Sequence, residues 1–94
     1  MILYEEACEK ASEYFKENYG FDGIVSACES ENYWIFYSGF ANVRMFGRPK
    51  IAINKSNGNF ESLSMTDNSQ AEILINAKQI EVPNNYLIKK DFEN

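Results

Sequence analysis

Apolar residues at the start of the chain recur at helical spacing. Leu3, Ala7, Ala11 and Tyr14 are separated by four, four and three positions, and Tyr4, Cys8 and Phe15 widen the stripe, so one side of an amphipathic helix is apolar. The pattern predicts a helix over residues 2–19. It stops at "NYGFDG", where Gly20 suits the left-handed position that closes a helix. From Gly23 the period changes. "GIVSACES" and "WIFYS" are β-rich runs separated by the polar "ENY", which reads as an antiparallel hairpin. "GFANVRMFGRP" is a longer connection, and "KIAIN" resumes strand alternation after Pro49, a residue tolerated where a strand begins.

"KSNGN" then separates "KIAIN" from "FESLSM". Asn57 and Gly58 both tolerate positive φ, which predicts a second hairpin with Lys55 solvated at its tip. A phosphate loop would need a longer glycine-rich turn feeding a helix N-terminus. Lys55 therefore reads as a turn residue. In "TDNSQAEILINAKQIEVP", Asp67 precedes Gln70 by three positions, and Ile73, Leu74, Ala77 and Ile80 share one helical stripe. This predicts a second helix from about Asn68 to Lys78, ended by Pro83, although Glu72 to Ile75 also reads as a strand. The tail "NNYLIKKDFEN" is polar with a few apolar anchors. The expected architecture is α+β, one domain over residues 1–94. It consists of an N-terminal helix, a four-stranded antiparallel meander, and a second helix on the same sheet face as the first.

Composition narrows the chemistry. With 94 residues, 45% of them hydrophobic and 24% charged, the chain can bury one modest core. A net charge of −5 opposes binding to a phosphate backbone, which depends on Lys and Arg releasing counterions, so nucleic acid is not an expected partner. No run of about 20 apolar residues is present to span a bilayer, and no positive segment precedes an apolar one. Membrane is therefore not expected as a partner either, and the expected location is the cytoplasm. Cys8 and Cys28 then read as reduced core residues, although an oxidising compartment would let them pair. Histidine is absent. That removes the commonest general base and metal ligand and leaves Cys8 or any serine without its usual activator. We expect no catalytic residue, cofactor or metal.

Three surfaces are candidates for binding. Glu5, Glu9, Glu13 and Glu17 recur every four residues, a like-charge stripe that costs a few tenths of a kcal/mol per neighbour. It is either a surface for a basic protein or a solvated face relieved by Lys10, Lys16 and the helix dipole. With Trp34 and Phe36 turned toward the helices, Tyr33, Ile35 and Tyr37 point away, in company with Lys50, Ala52, Asn54, Ser62 and Ser64. Tyrosine and serine together make an adaptable recognition surface. The competing readings are an ordinary solvent-facing sheet or a contact between copies of the chain in a homo-oligomer. Third, "NVRMFGRPK" gathers Arg44, Arg48 and Lys50 beside Met45 and Phe46. It either holds an acidic peptide or covers the end of the core with Phe46 inward.

A short N-terminal helix, the strand "YWIFY", and then "FGRPKIAINKSNG" leading into "NFESLS" together resemble the small YrhB-like proteins. That family is grouped with immunity proteins of bacterial polymorphic-toxin systems. The resemblance runs from "MILYEEACEKA" to about Val82. It implies a cytosolic protein that binds and neutralises a cognate toxin, one with a basic surface if the acidic stripe is the contact. The alternative it implies is a chaperone-like protein that shields apolar segments of many partners. The family pattern carries over no catalytic residues.

Overall fold

The computed structural model describes residues 1–39 and 49–88. Along the chain come α1 (Tyr4–Tyr19), β1 (Ser26–Glu29), β2 (Tyr33–Tyr37), β3 (Lys50–Asn54), β4 (Phe60–Glu61), α2 (Asn68–Asn76) and β5 (Lys78–Ile80). The α+β class is that expected from the sequence. α1 begins where the Glu6 carboxylate accepts the Leu3 N–H at 3.3 Å, satisfying one donor that a helix start leaves free. At its other end Gly20 takes φ 75°. The Gly20 and Phe21 N–H groups donate back to the Lys16 and Phe15 carbonyls, which is how a left-handed residue terminates a helix.

The sheet order is β4-β3-β2-β1-β5, with every neighbouring pair antiparallel. β1 to β4 form the expected meander. The count of four strands is corrected to five among the described residues, because β5 adds to the free edge of β1 with Ala27 opposite Ile80 and Cys28 opposite Gln79. Glu72 to Ile75 is helical, and α2 closes at Asn76 rather than Lys78. Asp67 starts it, its carboxylate accepting the Ser69 and Gln70 N–H groups at 3.0 and 3.1 Å, the usual work of an aspartate at this position.

The placement of α2 is a second correction. Ala7, Cys8, Ala11 and Phe15 of α1 pack with Ala27, Trp34, Phe36, Ile51 and Ile53. Ile35, Ala52 and Leu63 are buried in a separate cluster with Ile73, Leu74 and Ala77 against them. Neighbouring residues of a strand point to opposite faces, so the two helices cover opposite faces of the sheet. The reason lies in β2 and β3, where Trp34-Ile35-Phe36 and Ile51-Ala52-Ile53 are all buried. A strand apolar on both sides requires cover on both.

Two further features shape the molecule. In the β3–β4 turn, Gly58 takes φ 74° while Asn57 does not adopt positive φ; the Asn54 side-chain oxygen accepts the Ser56 N–H at 2.8 Å, and the Gly58 N–H returns to the Asn54 carbonyl. The C-terminal segment crosses β1's approach, where the Ile24 N–H donates to Tyr86 and the Ile88 N–H donates to Ile24. Gly23 is required there, since a Cβ would lie 2.6 Å from the Tyr86 carbonyl oxygen. The buried Ser38 hydroxyl donates to the Gly23 carbonyl and fixes the crossing from the other side.

Candidate functional site

The buried stripe of α1 leaves Glu5, Glu9, Glu13 and Glu17 exposed on its far side, beside Glu6 and Lys16. The charge balance on this face differs from a simple reading of the helix. Lys10 does not extend along the stripe. Its ammonium donates to the Gly58 carbonyl at 2.6 Å and lies 5.4 Å from the centre of the Phe60 ring. The hairpin thus draws one of the two helix lysines toward the sheet, so the carboxylates of α1 face water with less compensation than their spacing with Lys10 suggests. At the start of the stripe, partial burial and then the Glu9 and Glu5 carboxylates push the Tyr86 hydroxyl pKa up, because a negative neighbour disfavours a second negative charge. An open groove of about 400 Å³ runs between Glu6, Glu9 and Lys10 and the turn residues Ser56, Asn57 and Gly58.

The sheet face expected to be free is the one α2 covers. Tyr33, Ile35 and Tyr37 do lie opposite Asn54, Ala52 and Lys50, so that part of the grouping is found. Tyr33 is already engaged: its hydroxyl donates to Glu61 Oε1 at 2.8 Å, and Asn54 donates to Glu61 Oε2 at 3.2 Å. The carboxylate acceptor raises the Tyr33 pKa, and burial raises that of Tyr37. Ser62 and Ser64 do not join these residues. Glu61 pairs opposite Ala52 and Leu63 is the buried residue of that stretch, so the serines fall out of phase. Ser64 instead shapes the approach to α2, its hydroxyl bonding Thr66 and its N–H donating to Gln70. Arg44, Met45, Phe46 and Arg48 lie outside the described residues, and Lys50 of the same basic cluster is in β3 opposite Tyr37.

Lys55, expected in solvent, is held at the sheet end. Its ammonium pairs with Glu29 at 2.7 Å and sits 5.2 Å from the Trp34 ring centre. Its backbone bonds Asn32 and Ile2, making it a structural node. The signal for this was Trp34 in the neighbouring strand, whose face attracts a cation.

Both cysteines are free thiols. Cys8 is in the core and Cys28 is half-buried on the opposite sheet face. Burial raises both pKa values, the reverse of what activates a nucleophilic thiol. Among the described residues no group of acidic, cysteine or histidine side chains has a metal-binding arrangement, and no helix is long and apolar enough to cross a membrane.

The arrangement can therefore bind through charge, on the outer face of α1, more readily than through the tyrosines of the sheet. No family model, curated protein or solved structure matches this chain.

Proposed function

We propose that this protein is an immunity protein of the YrhB-like type, which binds and neutralises a basic bacterial toxin in the cytoplasm through the outer face of α1. The observation that carries the reading is the exposed row Glu5, Glu9, Glu13 and Glu17, from which the hairpin withdraws Lys10. A row of like charge has an unfavourable energy in the free protein, and a cationic surface relieves it on binding. Such a surface also speeds encounter and selects the partner by charge. The tyrosines of the sheet serve less well, because α2 covers part of that face and Glu61 already engages Tyr33.

The test is neutralisation. Co-expression should relieve the toxicity of one stoichiometric partner, and charge reversal at Glu9 and Glu13 should abolish both rescue and complex formation, most strongly at low salt. Unchanged affinity of the reversed variant at low salt would remove α1 as the contact. A second reading, a chaperone-like protein, draws on Met65 and Ile75, which are 55% and 70% exposed at and beside α2. It requires suppression of heat aggregation of unrelated proteins, lost in Ile75→Glu.

A further inference from the structure

Aromatic rings run from the sheet edge across the end of α1. Phe60 lies 5.1 Å from Tyr14, Tyr14 lies 6.3 Å from Tyr19, and Tyr19 stacks on Phe21 at 5.1 Å. The run is open at two points, since Phe60 is 41% and Tyr19 is 45% exposed. Beside Phe60 it forms an open notch of about 150 Å³ lined by Tyr14, Phe60, Glu13, Glu17 and Lys10. Part of this aromatic surface packs on the core, through Tyr14 and Phe21, and part stays open beside two carboxylates of α1.

We infer that this notch is the anchor point of the α1 surface and that its occupant is an arginine side chain of a basic partner protein. The inference rests on the proposed function and names the residue type the partner supplies. Three features select a guanidinium. The carboxylates of Glu13 and Glu17 stand one helical turn apart, a separation at which a planar fork of five donors serves both. Two of the lining groups are aromatic rings, Tyr14 and Phe60, the kind of surface on which a guanidinium stacks better than an ammonium. The cation-accepting nature of the ring is already in use, for Lys10 lies over Phe60 from the Gly58 side. Charge complementarity determines the sign of the occupant: two carboxylates against one lysine leave the notch negative. Aromatic and arginine residues are also those that dominate the energy of protein interfaces.

The probe is a short capped glycine peptide carrying two arginines, titrated into isotope-labelled protein at low salt, with its lysine counterpart as comparison. Chemical-shift changes should concentrate at Lys10, Glu13, Tyr14, Glu17 and Phe60, and the lysine peptide should bind about threefold to tenfold more weakly. Phe60→Leu and Glu17→Gln should each weaken the arginine peptide by a similar factor, about threefold to tenfold, while Glu72→Gln, exposed on α2 across the sheet, leaves it unchanged. Glu17 is exposed, so Glu17→Gln carries the test even if Phe60→Leu disturbs the hairpin. Equal shifts along the whole stripe with both peptides would overturn the notch and leave the basic-partner reading standing. Shifts absent from α1 altogether would remove both. Notch signals that move on dilution of the protein alone would assign the notch to a second copy of the chain and overturn the arginine.

Discussion

The two faces of the sheet are built to different standards. On the α1 face, Ala7, Cys8, Ala11, Phe15, Phe36 and Ile53 are all fully buried, and Ile80, Val82 and Tyr86 close the margin. On the α2 face, the sheet contributes two buried residues, Ile35 and Ala52, and the segment after β4 a third, Leu63, while α2 itself has none and leaves Ile75 70% exposed. A helix of 16 residues with a continuous apolar stripe gives the core its depth, and one of 9 residues acts as a partial cover. Stability therefore resides on the α1 face. This separation lets α1 hold its outer carboxylates on a rigid support, since the same helix that presents the charge is the one whose other side is anchored.

The largest effect should come from emptying the deep side. Phe15→Ala removes a fully buried ring and should cost about 3–5 kcal/mol in denaturant unfolding. Next is Gly23→Ala, whose added methyl meets the Tyr86 carbonyl oxygen; overpacking of this kind costs about 1–3 kcal/mol, and loss of amide protection at Ile24 and Ile88 would locate the damage. On the other face, Leu74→Ala truncates a half-buried side chain and should cost only about 1 kcal/mol. A loss equal to that of Phe15→Ala would erase the contrast between the faces.

The smallest global effect belongs to Asp67, whose replacement by alanine should lower hydrogen-exchange protection within α2 while leaving the unfolding midpoint of the α1 face almost unmoved. Its acid behaviour follows from the hydrogen bonds it accepts. The Ser69 hydroxyl and the Gln70 N–H hold its pKa below the ordinary 3.8. Because the folded value is the lower one, the carboxylate contributes fully above the unfolded value and loses that contribution as pH falls through the folded one. Protection of α2 in the parent protein should thus hold down to about pH 4 and decline below it, and Asp67→Ala should show no such step.

How much of this was legible depended on whether a feature is local. α1 announced itself through Ala7, Ala11 and Tyr14 and ended at Gly20, whereas Leu3, read into the same stripe, stands just before the helix and is 67% exposed; the Asp67 cap was visible because capping depends on residues two and three positions on. β5 was not. Lys78-Gln79-Ile80 is too short for periodicity, and its pairing with Ala27 and Cys28 is a long-range choice that local pattern does not encode. The side taken by α2 could have been inferred from unbroken apolar runs in β2 and β3, which call for two-sided cover. Assuming one wet face led to the misplaced α2 and left Ser62 and Ser64 one step out of phase. Of the candidate sites, the acidic row was readable because helical spacing alone makes it. The notch was not, because it joins Tyr14 to Phe60, residues that meet only through the fold.

The pairing of β1 with β5 has a consequence for how the chain is made. β1 leaves the ribosome before the other strands, and β2 joins it within a few residues, yet its other edge is closed only after α2 and β5 have followed. Until β5 is made, then, the nascent sheet has an open side at Ala27 and Cys28, the kind of edge along which chains pair with the wrong neighbour. On a polysome, where several growing copies sit side by side, the short turn from α2 into β5 adds almost nothing to that wait. It delivers the closing strand as soon as the helix before it has been made.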